Sequence, residues 1–361
     1  MQESIRSGPP VKEPVRSSII VPTYKRPIYL GKALCSILAQ DCPGLHEVLI
    51  LDNDCDPMIE RKIKKLGLEG SFRVKYIPVP EPGLHSGRHA GALASSADIL
   101  IFVDDDIETA PNWLQTIMDA FEDPDVHLVG GRYLPSYEGS PPEWMEAFWT
   151  KGKRGWAMCG HLSLLDYGER FCPIDPGFVW GLSYAIRKET LFEVGGFHPD
   201  GMPWELRRFR GDGETAVSNE IRRRGLKAVY DPKALVYHAV PKERMTIEYF
   251  ERRAHLQGIS DSYTLVRQEH YGSETKVAKC SWDWKEPLRK MRRMAGRVYR
   301  RLSMDPHREI KERVARAYRA GFEFHQNEVR NDPALLKWVL KPDYWDYRLP
   351  TAGKREDGER R

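Results

Sequence analysis

Short apolar runs alternate with stretches of helical spacing along the first third of the chain. Residues 18–21 are a β-branched run closed by Pro22, and residues 28–40 then carry Leu30, Leu34, Ile37 and Leu38 at helical intervals. The rhythm continues with an apolar run at 47–51, an amphipathic helix at 57–67, a run at 72–77, an Ala-rich helical stretch at 86–96, a fully apolar run at 99–103 and a helix at 111–121. Short strands separated by helices predict an α/β fold with a doubly wound, mostly parallel sheet. A run apolar at every position, such as 99–103, is a strand buried on both faces. From 130 to 210 the period is lost among Trp, Tyr, Gly and Pro, with a strand expected at 183–186 and a helix at 188–194. A helix at 215–225 has Glu220 and Arg224 one turn apart and Gly225 as its stop. Short strands are expected at 228–230 and 235–237, and the chain after Met245 reads as mainly helical.

Composition narrows the class. The 361 residues are 41% hydrophobic and 30% charged, enough for one large domain or two modest ones with a real core. No apolar run approaches the roughly 20 residues of a membrane span, and the N-terminus lacks the pattern of a secretory signal. Six cysteines without a C-x-x-C pair read as reduced thiols, so a cytoplasmic location is expected. The net charge of +4 conceals an asymmetry: residues 285–361 hold 21 Lys+Arg against 12 Asp+Glu, and the remainder 35 against 40. Within 285–302, apolar residues at 288, 291, 294, 298 and 302 recur at helical spacing while eight Lys/Arg occupy mostly the other face. That pattern fits a helix lying peripherally on an anionic membrane surface, or one packing its stripe on the rest of the protein. No recognition motif for nucleic acid accompanies it.

The candidate chemistry lies at the ends of the predicted strands. Asp104, Asp105 and Asp106 follow the run at 99–103, and ligands of open α/β sheets bind beyond the carboxyl ends of the strands. Three adjacent carboxylates repel one another unless a cation joins them, and a hard divalent ion, Mn2+ or Mg2+, is the natural one. An exposed acidic turn ahead of the helix at Pro111 is the other arrangement. Pro22, Tyr24 and Arg26 close the first strand and Asp52 the second, positions from which a base can be stacked or a ribose held. Residues 211–216 match the dinucleotide fingerprint G-x-G-x-x-A. The segment before them is basic rather than a strand, and Asp212 and Glu214 inside the loop would repel a pyrophosphate, so a dehydrogenase is excluded. Either carboxylate suits a general base, or a cap, at the start of the next helix.

These residues together resemble the family 2 glycosyltransferases of the GT-A fold, over roughly 17–260. The matching stretches are 20–26, Leu51-Asp52-Asn53, 87–91 with His89 where the family usually has Asn, 102–106 as a DxD metal motif, 181–188 with Gly195-Gly196-Phe197, 213–225, and 230–238. The resemblance implies an inverting transfer of a sugar from a nucleoside diphosphate sugar, a UDP-sugar above all, to a hydroxyl of a saccharide, a lipid-linked saccharide or a protein, in the synthesis of bacterial surface polysaccharide or glycoconjugate. It implies Asp52 and Tyr24 on the base, Asp104 with Asp105 and Arg88 around the ribose and diphosphate, and Asp106 with Asp104 and His238 on the metal. Glu214 takes the register of the base, with Asp212 behind it, and Trp180, Gly181 and Trp204 face the acceptor. The implied organisation is a lead-in at 1–17, a catalytic unit at 18–260 whose donor half is 18–130 and acceptor half 131–260, and a basic helical extension at 261–361. A nucleotidyltransferase making a nucleotide sugar and a non-catalytic carbohydrate-binding protein are the competing expectations.

Overall fold

A computed structural model describes residues 15–66, 72–152, 155–272 and 305–350. The sequence rhythm becomes β1 (Val15–Thr23), α1 (Pro27–Leu38), β2 (Leu45–Asp52), α2 (Pro57–Leu66), β3 (Phe72–Pro78), α3 (Leu84–Ala94), β4 (Ile99–Val103), β5 (Ile107–Thr109) and α4 (Trp113–Ala120). Strands β3, β2, β1 and β4 lie side by side and parallel. Their alternate residues feed two cores. Ile19, Val21, Val48, Ile50, Ile101 and Val103 pack with α1 and α4 on one face, while Ile20, Leu49, Leu51, Leu100 and Phe102 pack on the other. Burial on both faces is why these strands are apolar at every position.

The segment without a period proves rich in strand. It forms β6 (Val126–Tyr137), the two-residue β7 (Thr150–Lys151), β8 (Ala157–Cys159), β9 (Leu164–Asp166), β10 (Cys172–Pro173) and β11 (Ser183–Arg187). After α5 (Lys188–Glu193) and α6 (Glu214–Arg224) comes β12 (Lys227–Val240). Antiparallel β11 joins β4 to β6, so the sheet continues from donor half to acceptor half. The two short strands expected at 228–230 and 235–237 are one long strand. Its register on β6 slips between Asp231 and Leu235, which lets Pro232 sit in a bulge instead of ending the strand.

The ends of the chain depart from a simple core-plus-extension plan. Strand β1 begins at Val15, and Ser17 is buried with its hydroxyl 2.7 Å from His46 Nδ1, so 15–17 belong to the sheet. The boundary expected at 260 falls inside an unbroken helix, α7 (Ile247–Tyr271). Parallel contact with α8 (Arg308–Asn331) depends on two glycines: a Cβ on Gly258 would stand 2.1 Å from Tyr318 O, and one on Gly321 1.9 Å from His255 O. After α9 (Pro333–Val339) the chain turns back under the sheet. There Tyr344 is fully buried with its hydroxyl 2.7 Å from Tyr263 Oη, and Trp345 stacks on His89 and Phe192. The described part of the extension is therefore built into the body, because its aromatic residues complete a core of their own with α7. The basic stripe at 285–302 lies outside the described residues, and among those described no helix is long and apolar enough to cross a membrane.

Candidate active site

The carboxyl ends of β1, β2 and β4 open on a cleft of about 530 Å³. Pro22, Thr23, Tyr24 and Arg26 form one wall, and Asp104 and Asp105 lie on its floor. Gly201, Met202 and Pro203 close it from the far side. Because β1 and β4 are neighbours, the turn after β1 meets the aspartates directly. Thr23 Oγ1 donates to Asp105 Oδ2 at 2.7 Å, and Arg26 Nη1 reaches Asp105 Oδ1 at 3.3 Å and Asp106 Oδ2 at 2.8 Å. Tyr24 is half exposed at the rim with Lys25 over its ring.

The three aspartates have three environments. Burial and the neighbouring Asp106 push the Asp105 carboxyl up to about 7. Burial raises Asp104 to about 6 against the pull of Arg88. Asp106 is also buried, but the guanidinium groups of Arg244 and Arg26 outweigh the burial and hold its carboxyl well below the usual range. Its Oδ2 is taken by Arg26 and Arg244. Its Oδ1 is buried, makes no hydrogen bond, and lies 3.4 Å from His238 Nε2. His238 reaches this point because the Ala239 N–H donates to Asp106 O and so ties β12 to the aspartate turn. His238 Nδ1 is 2.8 Å from Leu162 O. A carbonyl only accepts, so Nδ1 carries a proton, and the Nε2 lone pair accepts from Arg244 Nη1 at 2.6 Å beside Asp106 Oδ1. A backbone carbonyl fixing the far nitrogen is the usual support of a metal-binding histidine. An unbonded carboxylate oxygen and an imidazole lone pair thus converge on one point and fit a divalent ion. Among the described residues no three His, Cys, Asp or Glu side chains do so. Asp106 and His238 are the side chains that converge there, while Asp104 is turned to Arg88.

Arg88 lies at the centre of the site. It projects from α3 and is 2% exposed. Its Nη2 bonds Asp104 Oδ1 at 3.3 Å and its Nη1 bonds Glu214 Oε2 at 3.3 Å. Burial opposes its charge, but Glu214, Asp104 and Asp200 more than offset that and keep the guanidinium charged. Gly181 makes room for it, since a Cβ there would stand 2.1 Å from Arg88 Nη2. The Gly181 N–H donates to Glu214 Oε1 at 3.2 Å. Glu214, the first residue of α6, thereby has both oxygens oriented beside Arg88, with its side chain still 24% exposed.

Other expected residues have different work. Asp52 is fully buried, and its oxygens accept from the Asp54 and Asp56 N–H groups and from Tyr76 Oη, each at 2.9 Å. It shapes its own turn instead of meeting a base, and its neighbour Asn53 lines the cleft. Asp212 points away: Oδ1 is 2.7 Å from His198 Nδ1 and Oδ2 accepts from Thr264 Oγ1 at 2.7 Å, pinning the loop to α7. Trp180 stacks on Tyr133 and bonds Gly177 O through its indole nitrogen. Trp204 is 45% exposed beside the cleft residue Pro203, with Arg207 over its ring. His89 explains its own presence: Nδ1 bonds Tyr344 O at 3.1 Å and Nε2 accepts the Phe197 N–H at 2.9 Å, so it fastens the C-terminal turn to the helix that carries Arg88. Thr23 sat within a stretch already singled out, whereas nothing in the spacing announced Arg244.

Residues 18–190 match the model of glycosyl transferase family 2. The glucosyl-dolichyl phosphate glucuronosyltransferase of Haloferax volcanii is 23% identical over 253 residues, which cover 68% of this chain and 76% of that one. The succinoglycan biosynthesis protein ExoM of Rhizobium meliloti is 24% identical over 273 residues, covering 72% and 78%. Among solved structures, the mannosyltransferase PcManGT of Pyrobaculum calidifontis, in complex with GDP-Man and Mn2+, superposes with a TM-score of 0.53 at 16% identity. That superposition covers 96% of this chain and 92% of that one.

Proposed function

This chain belongs to the family 2 glycosyltransferases and has the GT-A fold, and from that premise we propose that it is an inverting enzyme acting at the Asp104–Asp106 cleft. The donor is a nucleoside diphosphate sugar, with a UDP-sugar as the first candidate. Tyr24, Asn53 and Pro22 hold the nucleoside end, Asp104 and Asp105 the ribose, and Arg26 and Arg88 the diphosphate. Asp52 contributes by shaping the loop that carries Asn53. The acceptor enters past Trp204, Trp180 and Gly181. The names of the relatives support a saccharide or lipid-linked saccharide acceptor in surface polysaccharide or glycoconjugate synthesis.

The observation that carries this reading is the bridge Asp104–Arg88–Glu214, which links the donor side of the cleft to a carboxylate oriented by a backbone N–H. Glu214 accepts the acceptor hydroxyl's proton as that oxygen bonds the anomeric carbon. The bond from that carbon to the diphosphate breaks with its electron pair leaving on the diphosphate, and configuration inverts. Asp106 and His238 would hold a Mn2+ or Mg2+ ion, which would supply charge stabilisation to that leaving group. Arg88 adds a fixed positive charge on the same side. Glu214 is preferred to Asp212 because both oxygens of Asp212 are spent on His198 and Thr264.

Incubation with Mn2+ and a panel of nucleotide sugars tests the reading, with released nucleoside diphosphate as the expected product. Pyrophosphate release from a nucleoside triphosphate and a sugar phosphate would instead mark a nucleotidyltransferase. Saturable saccharide binding with no turnover of any donor would mark a carbohydrate-binding protein.

A further inference from the structure

The turn between β12 and α7 places Arg244 against the point where Asp106 and His238 converge. Its Nη1 is 2.6 Å from His238 Nε2 and 3.1 Å from Ala239 O, and its Nη2 is paired with Asp106 Oδ2. The imidazole proton is on Nδ1, so the Arg244 contact uses the Nε2 lone pair, the same lone pair a divalent ion would take. Arg244 and that ion therefore need the same two side chains. The other arginine on Asp106 differs in kind. Arg26 comes from an open turn and is 46% exposed, so it can swing into water, whereas Arg244 is 14% exposed and enclosed by β12 and its own turn.

Electrostatics sharpens the competition. Asp104 and Asp105 add negative charge beside Asp106, and in the resting arrangement Arg26, Arg88 and Arg244 offset it. A divalent ion entering with Arg244 still in place would meet a fixed positive charge a few ångströms away, in a site of low exposure where such repulsion is weakly screened.

We propose that Arg244 is an internal counter-cation that occupies the Asp106–His238 pair in the resting enzyme and must be displaced before a divalent ion binds there. It rests on the metal reading of this site given above. Arg244 thereby sets the metal affinity of the enzyme before donor arrives, and it keeps a buried carboxylate neutralised when no ion is present.

The test is Mn2+ titration of the full chain without nucleotide, read from the free-ion EPR signal. Arg244→Ala and Arg244→Gln should each bind Mn2+ about tenfold or more tightly than the unmodified protein, and Arg244→Lys should stay close to it. Asp106→Asn should abolish the binding in every background. The glutamine variant keeps hydrogen-bond donors toward Ala239 O without the charge, so it carries the test if the alanine variant melts early. Mn2+ binding that depends on Asp106 but is unchanged or weakened in both neutral variants would overturn the role of Arg244 and leave the metal reading standing. Absence of Asp106-dependent binding in all of them would overturn both.

Discussion

The central sheet buries a carboxylate near each of its two ends and treats them in opposite ways. Glu47 lies where β2 enters the sheet. Its Oε1 accepts from Ser18 Oγ at 2.5 Å and from the Ser96 N–H at 2.8 Å, and its Oε2 pairs with Lys75 at 2.9 Å. Burial works against its ionisation, but those donors outweigh the burial and hold its carboxyl below the ordinary range. Asp106, where β4 leaves, has one oxygen crowded by two arginines and the other without a hydrogen bond. A buried carboxylate with every acceptor site filled stabilises a fold, and one with an unspent oxygen beside surplus cations is arranged for a ligand. The same contrast recurs two residues apart, where Asp212 is spent on packing contacts and Glu214 is held against Arg88 with its side chain part exposed.

The sharpest test of the contrast is the Asp212–Glu214 pair. Glu214→Gln should lower turnover about a thousandfold while donor binding by calorimetry is kept. Asp212→Asn should act mainly on the melting temperature. If Asp212→Asn loses transfer as completely and melts normally, the base is Asp212.

Exchanging the charges at the two ends of the sheet comes next. Asp106→Asn should cut metal-dependent transfer by about a hundredfold or more. Glu47→Gln should leave initial rates intact at low temperature and cost about 1–3 kcal/mol of stability in urea. A Glu47 variant that folds normally but cannot transfer sugar would break the comparison.

A smaller effect is expected where the C-terminal turn meets the donor half. Trp345→Ala removes the ring stacked between His89 and Phe192 and should cost about 2 kcal/mol in urea. Donor KM should rise with it, because Arg88 shares a helix with His89.

A further effect is read from pH. Burial depresses His85 to about 4 and His89 to about 3. As pH falls below 6.5 the unfolded chain takes up these protons first, so stability present above pH 6.5 is lost on acidification toward pH 4. Each histidine contributes about 1.4 kcal/mol per pH unit in that window. His89→Asn should flatten the slope measured by urea unfolding at pH 7.5, 6 and 5.

Much of the donor half was legible because its signals are local. Runs such as Ile99–Val103 are apolar at every position, and a charged triplet at the end of such a run has to stand at the edge of the sheet. The acceptor half was not, since β6 and β12 are held by a pairing that survives a proline bulge, and no period of two or of 3.6 reports that. Asp52 and Asp212 show the same limit at single residues: a carboxylate at a strand end or helix start reads identically whether it meets ligand or its own turn.

The sequence alone determined which residues gather at the carboxyl end of the sheet, because strand burial and helix termination are written in neighbouring residues. Only the tertiary structure decided how each charge is used. Arg244 meets Asp106 from 138 residues away, and Arg88 meets Glu214 from 126. His89 is held by a turn 255 residues distant. Whether a buried group is satisfied depends on partners that chain folding brings together, and no spacing along the chain encodes them.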